Sequence, residues 1–364
     1  MKNTFGNALC VTVFGESHGK SIGAVIDGLA PGTEINLDYI NEKMALRRPA
    51  GAISTARREP DPISFESGVF EGKATGTPLC IRIENSDTKS SDYAAMKSIA
   101  RPGHADYSGY CRYGGFADYR GGGHFSGRVT AALVAAGSIV RYALEQKGIM
   151  IGSHIKEIAG ISDRSFENPK EEVPLVFKSS FPLLDRSVEQ AMKDEIIKAK
   201  EDRDSVGGIV ETAVTGLDAG LGEPFFDTVE GVISHGVFSV PAVKGIEFGE
   251  GFNLAKMWGS EANDPFGIKD GEIVTLSNRN GGINGGITNG SDIIFRTVIK
   301  PTPTIAKKQS TVDFEQKKEA ELEAKGRHDP CIVHRAAVVI DSITALALGD
   351  LLTLKYGTEW TKSI

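Results

Sequence analysis

Ser126-Gly127-Arg128-Val129-Thr130-Ala131-Ala132-Leu133-Val134-Ala135-Ala136-Gly137-Ser138-Ile139-Val140-Arg141-Tyr142-Ala143-Leu144-Glu145-Gln146-Lys147-Gly148 decides how the fold is read. Ser126 has the side chain of a helix N-cap, Lys147 suits the negative end of the helix dipole, and Gly148 suits the residue just past the C-terminus. Between them the run through Val129, Leu133, Val140 and Leu144 is apolar on nearly every side. A helix without a polar face must be covered on both sides. Residues 332–354 read in the same way. A third helix is predicted from Ser187 and Gln190, spaced as a capping box, with Glu195, Lys198 and Lys200 on an exposed face. Strands are predicted over residues 9–14, 23–27, 79–83, 208–214 and 293–299, which alternate or are β-branched. Long helices that need cover, with strands grouped in both halves of the chain, predict an α/β (α+β) architecture of helices sandwiched between sheets.

The two halves, about 1–150 and 200–355, echo each other inside what reads as a single domain spanning 1–364. Ser21-Ile22-Gly23-Ala24-Val25-Ile26-Asp27 resembles Ser205-Val206-Gly207-Gly208-Ile209-Val210-Glu211, and Arg101-Pro102-Gly103-His104 is loosely mirrored by Arg327-His328-Asp329-Pro330. Either one unit was duplicated or glycine-rich strands share a look. No period of 20–50 residues occurs, which excludes a solenoid. No P-loop occurs and no GxGxxG opens a helix after a strand, which disfavours a doubly wound nucleotide fold.

The chain has 364 residues and a net charge of -7, which argues against general binding to nucleic acid or an anionic membrane. A cleft can still gather positive charge. The first residues show no secretory signal and no apolar run is expected to span a bilayer, the longest being 129–140. Cys10, Cys80, Cys111 and Cys331 form no CxxC pair, so neither a disulfide framework nor a zinc or other metal site is expected. Reduced thiols in a cytoplasmic protein are the expectation.

Chemistry concentrates in a few segments. Gly15-Glu16-Ser17-His18-Gly19 follows a predicted strand, a common position for functional side chains. Arg101-Pro102-Gly103-His104-Ala105-Asp106-Tyr107 could place an anion clamp beside a general acid, with Asp106 orienting His104. Tyr119-Arg120-Gly121-Gly122-Gly123-His124-Phe125-Ser126-Gly127-Arg128 leads into the positive end of the apolar helix, where backbone N–H groups attract anions. Arg47-Arg48-Pro49 and Arg57-Arg58-Glu59-Pro60-Asp61 add forks suited to carboxylate or phosphate. Asn278-Arg279-Asn280-Gly281-Gly282-Ile283-Asn284-Gly285-Gly286-Ile287, Lys300-Pro301-Thr302-Pro303-Thr304 and Gly326-Arg327-His328-Asp329-Pro330-Cys331 suit a planar cofactor with a phosphate tail. His154 and His235 lack comparable surroundings and read as structural. The residues alone support an enzyme with an Arg- and His-lined pocket for a polyanion.

Taken together and in order, these segments resemble the chorismate synthase family, from about residue 5 to about residue 352. The resemblance implies a β-α-β sandwich with long apolar helices between two mainly antiparallel sheets and an internal pseudo-two-fold repeat. It implies a phosphate lyase of the shikimate pathway. Phosphate and a ring hydrogen would leave 5-enolpyruvylshikimate 3-phosphate in a 1,4-elimination, giving chorismate with reduced FMN and no net redox change. By the same resemblance His18 would assist the departing phosphate, His104 would hold the reduced flavin in its proper protonation state, and Asp329 would help flavin N5 to accept the ring proton. Arg48, Arg57, Arg101, Arg128 and Arg327 would hold substrate anions. His124, Phe125, Ser126, Ala242, Gly285, Lys300, Pro301, Thr302, Pro303, Thr304 and Arg327 would contact flavin, and Arg47 a nicotinamide nucleotide, with NADPH as a possible reductant. The family assembles as homotetramers. A flavin oxidoreductase that consumes NADPH is the rival enzyme, and a non-catalytic binder of phosphorylated metabolites the rival outside enzymes.

Overall fold

The computed structural model describes residues 2–49, 51–55, 60–86, 97–324 and 329–362. The first half holds strands β1 (Thr4–Phe5), β2 (Cys10–Gly15) and β3 (Ser21–Asp27), helix α1 (Leu37–Arg47), and strand β4 (Ile63–Ser67). A short ribbon, β5 (Val69–Phe70) with β6 (Lys73–Ala74), leads to β7 (Leu79–Glu84), α2 (Asp106–Tyr113) and α3 (Thr130–Glu145). The second half starts with β8 (Met150–Ile158), β9 (Ile161–Ser162), α4 (Pro169–Val176), α5 (Glu189–Glu201), β10 (Gly208–Thr215), α6 (Val229–Val237) and β11 (Val243–Phe248). It continues with the single turn α7 (Gly259–Ala262), hairpins β12 (Phe266–Lys269)/β13 (Glu272–Thr275) and β14 (Ile283–Asn284)/β15 (Ile287–Thr288), and β16 (Ile293–Ile299). The hairpin β17 (Gln309–Asp313)/β18 (Lys318–Leu322) and helix α8 (Val333–Tyr356) complete it.

Two antiparallel five-stranded sheets form, in the orders β1-β2-β3-β7-β4 and β11-β16-β10-β8-β9. Reading the second from its other edge aligns β2 with β8, β3 with β10, β7 with β16 and β4 with β11. A helix follows each central strand (α1 after β3, α6 after β10), and a long apolar helix closes each half, α3 and α8. The topology therefore recurs, and the similar segments near Ser21 and Ser205 lead into the two central strands.

The two long helices lie between the sheets because their composition gives them nowhere else to go. Most of α3 and the greater part of α8 are buried, and the core joins their side chains to Ile22, Ile81 and Ile83 of one sheet and Val210, Val214 and Phe295 of the other. Fully burying such a side chain stabilises the fold by about 1.5–3 kcal/mol. The helices cross at Gly137, where a Cβ would stand only 2.5 Å from the Ser342 carbonyl oxygen, so glycine sets how closely they approach. The α8 helix is long and apolar enough to cross a membrane, contrary to the expectation that no run reaches that length, but its most apolar stretch is 94% buried inside the protein. It is the core helix of the sandwich.

Several polar side chains inside this layer are held by hydrogen bonds. Arg141 donates to Asp341 at 3.0 Å and to the Ile151 carbonyl, and Ser153 donates to Asp341 at 2.5 Å. Asp350, on α8, accepts the backbone N–H groups of Asn7, Ala8 and Leu9 at 2.7–3.0 Å and so ties the start of β2 to the helix layer. Gly148 closes α3 with φ of 78°, as its place after the helix requires. The third helix begins differently from expectation. Asp185 caps a 3-10 turn over Arg186–Val188 by accepting from Ser187 N–H, and Gln190 reaches Asp194 rather than closing a capping box.

Candidate active site

The glycine loop at Arg120–Phe125 joins α2 to α3 and stands between two histidines. Gly121, Gly122 and Gly123 all take positive φ, which admits no ordinary side chain without strain. A Cβ on Gly121 would lie 2.2 Å from His18 Cε1, and one on Gly122 would lie 3.3 Å from His104 Nε2. Both imidazoles therefore rest against the same three glycines. Strand β2 delivers His18: Gly15 turns the chain with φ of 96°, and the buried Ser17 donates its N–H to the Gly123 carbonyl at 3.1 Å. Ser17 Oγ also donates to the Arg120 carbonyl at 3.2 Å. Its one proton is then committed, so at 3.2 Å from His18 Nδ1 the hydroxyl must accept. Neutral His18 consequently carries its proton on Nδ1 and its basic lone pair on Nε2. His124 Nδ1 donates to the Gly15 carbonyl at 2.8 Å, which fastens the loop to the end of β2. Phe125 packs over Gly109 and beside Tyr113.

His104 is placed by its own short loop. Asp106 accepts from Arg101 at Nε and Nη2, both at 2.7 Å, and from the Arg101 backbone N–H at 3.0 Å. His104 Nδ1 lies 2.7 Å from the same carboxylate, off the line of a directed hydrogen bond, so the carboxylate acts on it through charge. Burial alone would raise the Asp106 carboxyl; Arg101 and His104 outweigh it and hold it well below the usual carboxylate range. Lys300 donates to the Gly103 carbonyl at 2.5 Å, Arg101 Nη1 points at Thr304 Oγ1 at 3.5 Å, and Pro303 Cβ lies 3.4 Å from where a Gly103 Cβ would be. The segments around Arg101 and Lys300 thus pack together. Pro301 meets Gly207, and Thr302 keeps a buried hydroxyl without a hydrogen-bond partner among the described residues.

Beyond Ser126 opens a cleft of about 220 Å³ whose wall includes Arg47, Arg48, Ser126, Arg128, Asp329, Asp61 and Arg335. Ser126 caps the turn leading into α3 by accepting from Arg128 N–H at 3.2 Å. Arg47 and Arg128 share the buried, positive-φ Asp61: Arg47 Nη2 donates at 3.2 Å and Arg128 Nη1 donates to the other oxygen. Arg128 also reaches Asn85 Oδ1 at 3.0 Å and the Glu84 carbonyl at 3.2 Å. Burial, then the charge of Arg335, lowers Arg47 to about 10 against the opposing pull of Asp61. Arg47 Nε and Arg48 Nε are buried with no hydrogen-bond partner among the described residues. Such donors want an acceptor, and an anion or a carbonyl-rich ring entering the cleft would supply one.

The sequence profile described as chorismate synthase matches residues 9–353. The chain belongs to the chorismate synthase family. A relative from Archaeoglobus fulgidus named chorismate synthase is 44% identical over 359 residues, covering 97% of this chain and 98% of the relative. One of the same name from Dehalococcoides mccartyi is 44% identical over 352 residues, covering 96% of each, and one from Pyrococcus abyssi is 43% identical over 351 residues, covering 96% of this chain and 97% of that one. A solved structure titled as the crystal structure of chorismate synthase superposes with a TM-score of 0.77 at 28% identity, covering 98% of this chain and 96% of that one. The helix-filled sandwich of antiparallel sheets is therefore the family fold.

Within the chorismate synthase fold, most of the expected residues meet. His18 and His104 rest against the glycine loop, Lys300, Pro303 and Thr304 pack on the Arg101–Gly103 segment that carries His104, and Arg47, Arg48, Ser126, Arg128 and Asp329 line the cleft. The two regions adjoin where Ser126 Cβ would come 3.8 Å from a Cβ on Gly122. Ala242, at φ of 74°, accepts from Lys300 N–H at 2.9 Å beside Pro241 of the cleft wall. Gly285 does not join them. Its neighbour Gly286 accepts from Val229 N–H at the start of α6, and β15 contacts Gly220, which Lys355 holds at the far end of α8. At 1.5 Å per residue that is about 25–30 Å along α8 from the cleft. Arg57 and Arg327 lie outside the described residues. Sequence reasoning passed over Asp61 and Arg335. Asp61 stood in a quoted motif but was not singled out. Arg335, beside His334, interrupts the mostly apolar helix start Val333 to Val339, and that interruption is the signal that could have found it.

Proposed function

We propose that this chain eliminates phosphate from 5-enolpyruvylshikimate 3-phosphate in a 1,4-elimination that yields chorismate, using reduced FMN with no net redox change. The observation that carries the reading is the meeting of Arg47, Arg48, Arg128 and Arg335 in one cleft of an acidic chain, next to two histidines held by one glycine loop. Two carboxylates and a phosphate need several fixed guanidinium groups at once, and forks of this kind bind them at two points each. The partnerless Arg47 Nε, Arg48 Nε and Thr302 Oγ1 fit a bound flavin nucleotide and substrate, which bring the acceptors those donors lack. Residues of the 300–304 segment, Ser126, Ala242 and His104 would hold the flavin. When bound, reduced flavin supplies electron density as phosphate leaves and regains it as hydrogen departs. The chain's own residues do the rest. Arg47, Arg48 and Arg128 fix the substrate and draw charge toward the leaving phosphate. His18, protonated on both nitrogens, offers Nε2–H to the departing oxygen while Ser17 holds Nδ1. His104, steadied by Asp106 beside the glycine loop, would keep the bound flavin in its proper protonation state. Asp329 stands in the cleft, where it would help the flavin take up the departing ring proton.

Asp61 already occupies Arg47, so an NADPH phosphate at that guanidinium would have to displace a buried carboxylate; NADPH as a reductant would more readily enter elsewhere. We also propose one domain built of two related halves, a cytosolic location in keeping with four free thiols, and a homotetramer. The tetramer is supported by large apolar side chains left exposed, among them Phe225, Phe226, Phe252, Trp258, Ile268 and Ile273. The site is tested by His18→Ala and His104→Ala, each expected to slow turnover by 10²-fold or more on general acid–base grounds with circular dichroism unchanged. Wild-type rates in both would remove the assigned roles.

A further inference from the structure

Arg335 lies on the first turn of α8 and enters the cleft beside Asp329. Its Nη1 donates to Asp329 Oδ2 at 2.8 Å, and its Nε donates to the Arg47 carbonyl at 2.7 Å. The second bond matters as much as the first. A guanidinium is a rigid plane, so pinning Nε to backbone at the end of α1 fixes where Nη1 points. The opposite oxygen, Asp329 Oδ1, accepts the Thr55 backbone N–H at 3.0 Å. Both oxygens of Asp329 are thus held, one by main chain and one by a side chain that is itself anchored to main chain. Arg335 and Asp329 are 14% and 20% exposed, so neither contact is a solvated surface pair.

We infer that Arg335 is a positioning residue: it acts through Asp329, fixing the plane of that carboxylate toward the cleft, and is not itself a ligand of the substrate. The inference rests on the proposed role of Asp329 in helping the flavin take up the ring proton. A carboxylate free to turn about its side-chain torsions would spend much of its time misaligned, and a misplacement of about 1 Å can cost on the order of 10²-fold in rate. Lysine keeps the charge but cannot make both bonds with one rigid plane, so Arg335→Lys should rescue only in part.

The test is a double-mutant cycle of Arg335→Met and Asp329→Ala, with Arg335→Lys as the folding-competent companion should the methionine variant fail. The readouts are kcat, KM, and the primary deuterium isotope effect at the ring position that loses hydrogen. The expected result is a loss in kcat of about 10- to 100-fold in Arg335→Met, with KM little changed and a larger isotope effect. In the Asp329→Ala background the second substitution should then add almost nothing. A raised KM with unchanged kcat would make Arg335 a substrate ligand and overturn the inference. So would a full further loss on top of Asp329→Ala, while leaving the role of Asp329 intact. A wild-type rate in Asp329→Ala alone would instead remove the role of Asp329 in the proton transfer, and the inference with it.

Discussion

Replacing Gly121 with alanine puts one methyl group where the structure leaves room for none. That Cβ would lie 2.2 Å from His18 Cε1 and 2.8 Å from Ser17 Oγ, whereas ordinary van der Waals contact begins near 3.4 Å. Either the imidazole or the loop must move by about an ångström. Ser17 is fully buried and its N–H is bonded to Gly123, so it cannot retreat with the loop. The φ of 62° adds a left-handed penalty of about 1–2 kcal/mol for any residue with a Cβ. A shift of this size in a reacting group costs on the order of 10²-fold in rate. Gly122 gives the internal control. It has a φ of 101°, so alanine there is strained too, but its Cβ would meet His104 Nε2 at 3.3 Å, nearly ordinary contact. Gly121→Ala should therefore lose about 10²-fold in kcat and Gly122→Ala no more than about tenfold, with similar small losses of stability. The assay is initial rate of chorismate formation at saturating substrate, beside thermal unfolding by circular dichroism. A folded Gly121→Ala protein with wild-type kcat, or one faster than Gly122→Ala, would refute the argument that the loop sets the position of His18.

Three further outcomes follow from charges the structure has buried. Glu247, Arg296, Glu211 and His154 face one another in register across four strands, and Asp163 closes the row on His154 Nδ1 at 3.0 Å. Burial would lower His154, but its bonds to Asp163 and Glu211 raise it, and His154→Leu, which strands two carboxylates, should cost about 3–5 kcal/mol by urea denaturation. Because the folded value lies above the unfolded one, this contribution is full below about pH 6.5 and fades as pH rises through the folded value; a wild-type stability that does not fall relative to His154→Leu over that rise would contradict it. Asp341→Ala leaves the buried Arg141 with only the longer carboxylate contact to Glu145 at 3.5 Å and should also cost about 3–5 kcal/mol, measured in the same way, and a loss under 1 kcal/mol would count against it. Asp106→Asn should cost about 1.5–3 kcal/mol at neutral pH. The folded carboxyl lies below its unfolded value, so its contribution is present above about pH 4 and is lost as pH falls through the folded value, and acid unfolding followed by fluorescence should show that dependence weakened in the variant.

What could be read from sequence was what local chemistry controls. The α3 and α8 helices were legible because each is a long, mostly apolar run with a clear end, and β3, β7, β10 and β16 because they are β-branched. The long strand β8 was not predicted. Its inward positions alternate Ile151, Ser153 and Ile155, and the polar Ser153 breaks the pattern because it serves Asp341, on a helix 188 residues away. The cap of α5 was misplaced because a 3-10 turn precedes the helix and moves the cap back to Asp185. The site divided in the same manner. Histidines and arginines inside dense motifs stood out, whereas Arg335 and Asp61 take their meaning from partners that only folding supplies, namely Asp329 with the Arg47 carbonyl for one and the Arg47–Arg128 pair for the other. Gly285 belonged to an equally glycine-rich motif, yet it sits at the opposite end of the helix layer, since glycine content records a tight turn and not its address.

The most direct measurement is an anaerobic progress curve with 5-enolpyruvylshikimate 3-phosphate and a small amount of chemically reduced FMN. Chorismate and inorganic phosphate should appear in equal amounts and in large excess over the flavin, and oxidised FMN without a reductant should give neither. One chorismate for each reduced flavin consumed, or full activity with no flavin present, would contradict the account.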